Sequence, residues 1–201
     1  MMPRLACLAF LVWPVALSAE TVLIGTEAQF PPIIHIDEDG NLAGRDKEIG
    51  DEICARAEWD CAWIITEFDA LLPGLVDGRF DFVIAGLSAS PDREEIVDFT
   101  DPYRPRHANL SVFVGLSAAI EPSGARIAVQ GQTTQSAWLE WLGYDALPYP
   151  DNPSALDAMI AGEADLFFGP DLFLRQMTQR GYDMLVANGE ESVPSFGTAI
   201  A

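Results

Sequence analysis

Apolar positions along the chain follow two rhythms. Short apolar runs at residues 21–25 (TVLIG), 62–65 (AWII) and 80–84 (FDFVI) read as strands. Between them the spacing lengthens: over residues 46–57, Ile49, Ile53 and Ala57 share one helical face, and over 68–77 a helix carries Leu71, Leu72, Leu75 and Val76. Residues 34–42 read as a hairpin turning at Asp39-Gly40. The order is βαβαβ, which predicts an open α/β sheet with helices on its faces.

A second series follows. Residues 110–114 predict a strand and 118–126 a loop, then come a strand at 127–129, the turn GQTTQ and a helix through Trp138, Leu139 and Leu142. A helix at 154–161, a strand at 166–168, a helix at 172–180 and a strand at 184–186 complete it. Two α/β units joined near residue 113 imply two lobes, residues 20–113 and 114–193, with a cleft between them where a small ligand binds.

Composition narrows the function. A chain of 201 residues that is 49% hydrophobic buries a real core. Eleven basic against 31 acidic residues give a net charge of −20, which repels phosphate backbones and excludes nucleic acid as a partner. Residues 1–19 have the layout of a signal peptide: one Arg, an apolar stretch from Leu5 to Leu17, then small residues. That stretch, interrupted by Pro14, is short for a membrane span. Most of the apolar stretch follows Cys7 instead of preceding it, unlike a lipid anchor. Once the leader is removed, Cys54 and Cys61 remain, and in an oxidising compartment such a pair is joined or stays as two buried thiols.

Motifs for chemistry are sparse. His35 and His107 are isolated, IDEDGN fits a hairpin turn better than a calcium loop, and neither a phosphate-binding glycine loop nor a nucleophile elbow is present. No metal and no cofactor are expected. One residue stands out in GLSASPDREE, where Ser90 reads as a helix cap, Pro91 as the first helical residue and Asp92, Glu94 and Glu95 as acids of the first turn. Arg93 puts a cation at the positive end of the helix. It either awaits an anion or pairs on the surface with Glu94 or Asp98.

The runs IGTEAQFPP, DEDGNLAGRD and EFDALLPGLVDGRFDFVIAGLSASPDREEIVDFTDPY resemble the extracytoplasmic solute-binding proteins of ABC transporters, polar amino-acid family. Lysine/arginine/ornithine- and histidine-binding members are the most similar in character. In the second half the resemblance thins to GQTTQ, AGEAD and FGTAIA. It implies a type II-like periplasmic-binding-protein fold: two lobes, each an open sheet with flanking helices, the ligand between them, and residues 194–201 returning to the first lobe. It implies a Cys54–Cys61 disulfide. Arg93 would hold the ligand α-carboxylate with Ser88 and the backbone at Gly86, as suits a planar fork of donors. Phe30 and Phe68 would sandwich the ligand side chain, Glu27 would meet its distal polar end, and Thr133, with Gln132 beside it, would add an anion contact from the second lobe. Asp171 would hold the α-ammonium, although Pro170 stands where the family's Asp is counted. Gly44-Arg45-Asp46 replaces Gly-Phe-Asp, with Arg45 expected to reach solvent. The implied partners are a polar, cationic amino acid and a membrane permease; the protein is expected to be monomeric. Two alternatives use the same fold: an exported cyclohexadienyl or arogenate dehydratase, and a ligand-sensing domain.

Overall fold

The computed structural model describes residues 20–105 and 109–201. The expected leader and His107 lie outside the described residues. Strand β1 (Val22–Thr26) is followed by a small antiparallel sheet of β2 (Gln29–Phe30), β3 (Ile34–Ile36) and β4 (Leu42–Ala43). Helix α1 (Arg45–Ala57) comes next, with Asp46 and Glu48 in its first turn and Arg56 in its last, as the helix dipole favours. Strand β5 (Cys61–Ile65), a 3₁₀ turn (Phe68–Ala70), α2 (Leu71–Val76) and β6 (Phe82–Val83) complete the first unit. Its sheet is parallel in the order β5-β1-β6, the open α/β arrangement that the apolar runs predict. Cys54 and Cys61 are disulfide-bonded and tie the end of α1 to the start of β5.

Gly44 lies immediately ahead of α1 at φ 118°, and a Cβ there would come within 2.4 Å of the Ile33 carbonyl oxygen, so only glycine fits. This close approach delivers Asp46 into the interior, where it is 1% exposed. The Asp46 carboxylate accepts from the Gly86 N–H at 2.5 Å and from the Tyr103 hydroxyl at 3.0 Å. Arg45, one residue earlier, is exposed as expected.

After the four-residue helix α3 (Pro91–Glu94) the chain enters a five-stranded sheet in the order β11-β7-β10-β8-β9. Its members are β7 (Asn109–Gly115), β8 (Arg126–Gln130), β9 (Asp145–Tyr149), β10 (Leu166–Pro170) and β11 (Val186–Val193). Helices α4 (Thr134–Leu142), α5 (Asn152–Ile160) and α6 (Asp171–Gln179) connect them. Three differences from the sequence reading stand out. All of β7 pairs in this sheet, so the expected boundary at 113 falls inside a strand. β9 was not anticipated, because Pro148 argues against a strand except at an edge, and β9 is the edge. The last strand begins at Val186 instead of ending there: it runs on through Glu190, Glu191 and Ser192, pairing antiparallel with β7 along the opposite edge, with a bulge between Ala187 and Gly189.

Four buried clusters form the core. Ile24, Cys54 and Ile84 fill one region of the first unit, and Leu71, Phe80, Val83, Ala85 and Leu87 fill another. The five-stranded sheet carries Phe113, Ile127, Leu139 and Phe168 in one cluster and Ala128, Leu156, Phe167 and Phe173 in the other. The last residues return to the first unit, where Ala199 N–H donates to the Leu87 carbonyl and Val83 and Ala201 exchange backbone hydrogen bonds. The result is two α/β lobes.

Candidate functional site

In open parallel sheets the loops beyond the carboxyl ends of the strands are free to meet a ligand. Glu27 follows β1, Ala85 and Gly86 follow β6, Gln130 closes β8, and Pro170 closes β10 ahead of Asp171. These ends face one another across a cavity of about 300 Å³, the size of a small-ligand pocket.

The structure brings Glu27, Phe30, Phe68, Gly86, Ser88, Arg93, Thr133 and Asp171 to the wall of this one cavity. Gln132, at φ 60°, is exposed and does not line the cavity, but takes part through its backbone: Arg93 Nη2 donates to the Gln132 carbonyl at 2.8 Å. Arg93 Nη1 donates to the Ser88 carbonyl at 3.0 Å, and the guanidinium lies 5.5 Å from the Phe68 ring centroid. Arg93 is therefore braced by two carbonyls and one aromatic face, not paired with Glu94 or Asp98. Burial pulls its pKa down to about 10, so it remains charged at neutral pH but poorly hydrated.

The helix expected around Arg93 contributes less than its motif suggests. Ser90 occupies the cap position without a side-chain hydrogen bond, and the N–H groups of Arg93 and Glu94 both turn back to the Ser90 carbonyl. The true cap is Thr133 on α4, whose hydroxyl accepts from Ser136 N–H at 3.2 Å and donates to the Gln130 carbonyl at 2.8 Å. Gly86, at φ 62°, turns the first-lobe loop while its N–H is held by Asp46; a Cβ there would press on the Phe30 ring at 3.2 Å.

Phe68 packs on the first lobe's cluster, whereas Phe30 reaches across to the second lobe's cluster. Asp171 accepts from Arg175 Nε at 2.6 Å one turn along α6, so its carboxylate is shared with a neighbour.

Glu27 is the most buried ionisable group of the cavity, 3% exposed. Gln130 Nε2 reaches its Oε2 at 3.4 Å from the second lobe. Burial, with smaller contributions from Asp151, Asp46 and Glu67, pushes its pKa up to about 8 against the pull of Gln130, so the carboxyl is protonated at neutral pH. Gln130 in turn accepts from Asn152 at 2.7 Å. Gln130, Asn152, Arg104 and Thr198 also line the cavity and were missed in the sequence. The Gln130 and Asn152 amides carry no charge and no motif, and Arg104 and Thr198 reach the site only through an isolated bridge between segments 94 positions apart.

The comparisons agree with this architecture. The putative ABC transporter arginine-binding protein 2 of Escherichia coli is 30% identical over 160 residues, 77% of this chain and 65% of that protein. The lysine/arginine/ornithine-binding periplasmic protein of the same organism is 30% identical over 155 residues, 73% of this chain and 59% of that protein. The chain thus spans less than two thirds of the length of these relatives. Among solved structures, a periplasmic His/Glu/Gln/Arg/opine family-binding protein from Silicibacter pomeroyi, in complex with lysine, superposes with a TM-score of 0.81 at 30% identity, covering 89% of this chain and 81% of that one. The family model of bacterial extracellular solute-binding proteins, family 3, matches residues 22–189, and the chain belongs to that family.

Proposed function

We propose that this chain binds a polar, cationic amino acid in its cleft outside the cytoplasm and presents it, as a monomer, to the permease of an ABC transporter. The observation that carries the reading is the pairing of chemistries in the wall of one cavity: a half-buried, charged Arg93 and a buried carboxyl, Glu27. In this reading the ligand's α-carboxylate takes the remaining donors of Arg93 together with the Ser88 hydroxyl, while the Gly86 N–H stays with Asp46 and shapes the loop, and Thr133 contributes by capping α4 beside the site. Asp171 accepts from the α-ammonium while keeping Arg175. Phe30 and Phe68 hold the side-chain methylenes, and Glu27 accepts N–H donors from the distal end, becoming ionised as a cation arrives. The proteins named above as relatives carry arginine or lysine in their names, which supports a ligand of this class.

The lobes of this reading are residues 20–105 with 194–201, and 109–193. Leader removal at residues 1–19 fits the same extracytoplasmic setting. Calorimetric titration of the purified protein with a panel of amino acids tests it. Arginine, lysine, ornithine or histidine should bind more tightly than glutamate or leucine. Binding by none of them, or turnover of prephenate or arogenate, overturns it.

A further inference from the structure

Behind Glu27 stands a pair of side chains to which the proposed contacts give no role. Asn152 is the first residue of α5, placed there by Asp151, whose carboxylate caps the helix by accepting from Ser154 N–H at 2.6 Å. Asn152 is 4% exposed, and so is Gln130. The Asn152 Nδ2 donates to Gln130 Oε1 at 2.7 Å. A side-chain amide has one accepting and one donating end, so with Oε1 committed only Nε2 is left to face Glu27. The Gln130 backbone is held as well, since its carbonyl accepts from the Thr133 hydroxyl. The amide therefore has one direction, set from α5 and aimed across the cleft at the first lobe.

We propose that Asn152 and Gln130 form a specificity relay, in which Asn152 fixes the Gln130 amide so that its N–H faces Glu27, and the ligand is selected by the N–H donors it adds to that carboxylate. The inference rests on the reading that the cleft holds an amino acid. The charged groups that raise the proton affinity of Glu27 are Asp151 ahead of α5, Asp46 on α1 and Glu67 ahead of the 3₁₀ turn, while Arg93 and Arg104 line the same cavity. Glu27 needs donors to ionise in that setting, and Gln130 supplies one. A guanidinium or ammonium supplies the rest. A ligand ending in a carboxylate sets acceptor against acceptor and is refused. With Asn152 removed, the Gln130 amide is free to turn its oxygen toward Glu27, which favours the protonated carboxyl and weakens the preference for a cation.

Arginine and alanine, the latter too short to reach Glu27, separate the relay from general binding. Titrations compare wild type, Asn152→Ala, Gln130→Met and the double variant, each checked for folding by its thermal transition. Each single variant should lower arginine affinity about tenfold relative to alanine, the cost of an unmade buried hydrogen bond. The double variant should stay within about twofold of Gln130→Met, because Asn152 acts only through Gln130. In each single variant the pH at which arginine affinity levels off should move upward, a shift that general loosening of the cleft does not produce. Equal losses for arginine and alanine, or penalties that add in the double variant, overturn the relay. Gln130→Met keeps the side-chain volume and decides the question if Asn152→Ala does not fold. Failure of the wild type to bind either amino acid defeats the underlying reading, whereas arginine binding with an unchanged ratio defeats the relay alone.

Discussion

The two ends of the cleft bury ionisable groups of opposite sign and treat them differently. Arg93 sits against backbone carbonyls and an aromatic face, whose charge does not change with pH, and with its pKa pulled only to about 10 it remains a cation at neutral pH. Glu27 sits against a side-chain amide and like charges and, with its pKa pushed to about 8, is discharged. In the proposed function the first end anchors a group that every amino acid carries. In the same proposal the second is conditional, charged only when a ligand supplies the donors, and is where ligands are told apart.

Breaking the anchor should have the largest effect. Arg93→Ala removes a desolvated, bidentate-capable contact and should cost about 2–5 kcal/mol in amino-acid affinity while the protein still melts cooperatively. Near-native affinity by calorimetry would place the α-carboxylate elsewhere. Arg93→Lys should also lose most of the binding, since a point charge does not reproduce the fork.

Weakening the conditional end should change selectivity more than affinity as a whole. Glu27→Gln should narrow the gap between arginine and glutamine by about tenfold, or ~1.4 kcal/mol, with glutamine itself little changed. Competition titration of the two ligands reads this directly.

The same carboxyl sharpens the comparison through pH. Its pKa is raised on folding from 4.5 to about 8, so the folded protein holds a proton that the unfolded chain releases between those values. The stability this contributes is fully present below pH 4.5 and is lost as pH rises through 8. Asp46, also raised by burial, acts in the same direction. Ligand-free protein should therefore melt at progressively lower temperature as pH climbs across this range, and Glu27→Gln should flatten the slope. Arginine affinity should run the other way, rising with pH and levelling off near 8 as Glu27 ionises more readily. A wild-type melting profile without slope would place the Glu27 pKa near its ordinary value.

The smallest effect on the cleft should come from reduction of Cys54–Cys61, which lies outside the cavity wall. Opening so short a loop should lower stability by roughly 2.5 kcal/mol and the melting temperature with it, while arginine affinity changes by less than about twofold. A large loss of affinity on reduction would couple the staple to the site.

What the sequence revealed followed the strength of the local signal. The apolar runs around Leu23, Trp63 and Val83 and the helical spacing of Ile49 and Ile53 mark buried faces, and the elements lie where those faces require. The edge strands were hidden for the complementary reason. β11 is largely polar, and β9 contains a proline that only an edge tolerates, so neither has the pattern of a buried strand. At the site, Arg93 was visible because a cation in an acidic first turn is locally out of place. Its bracing was not, because a carbonyl such as Gln132's acquires meaning only from its turn. Gln130 and Asn152 stand 22 positions apart and meet only through the register that sets α5 beside the end of β8.

The return of residues 197–201 to the first lobe has a consequence during synthesis. The edge of that lobe beside β6 is completed by the Leu87–Ala199 and Val83–Ala201 hydrogen bonds, so the first lobe is completed by residues translated after the second. At translation rates of about 5–20 residues per second, the nascent first lobe waits on the order of ten seconds, while the second lobe is made, before this returning segment arrives. During that interval the emerging chain holds an unpaired sheet edge beside β6, and its two buried clusters lack the packing of Ile200 and Ala201.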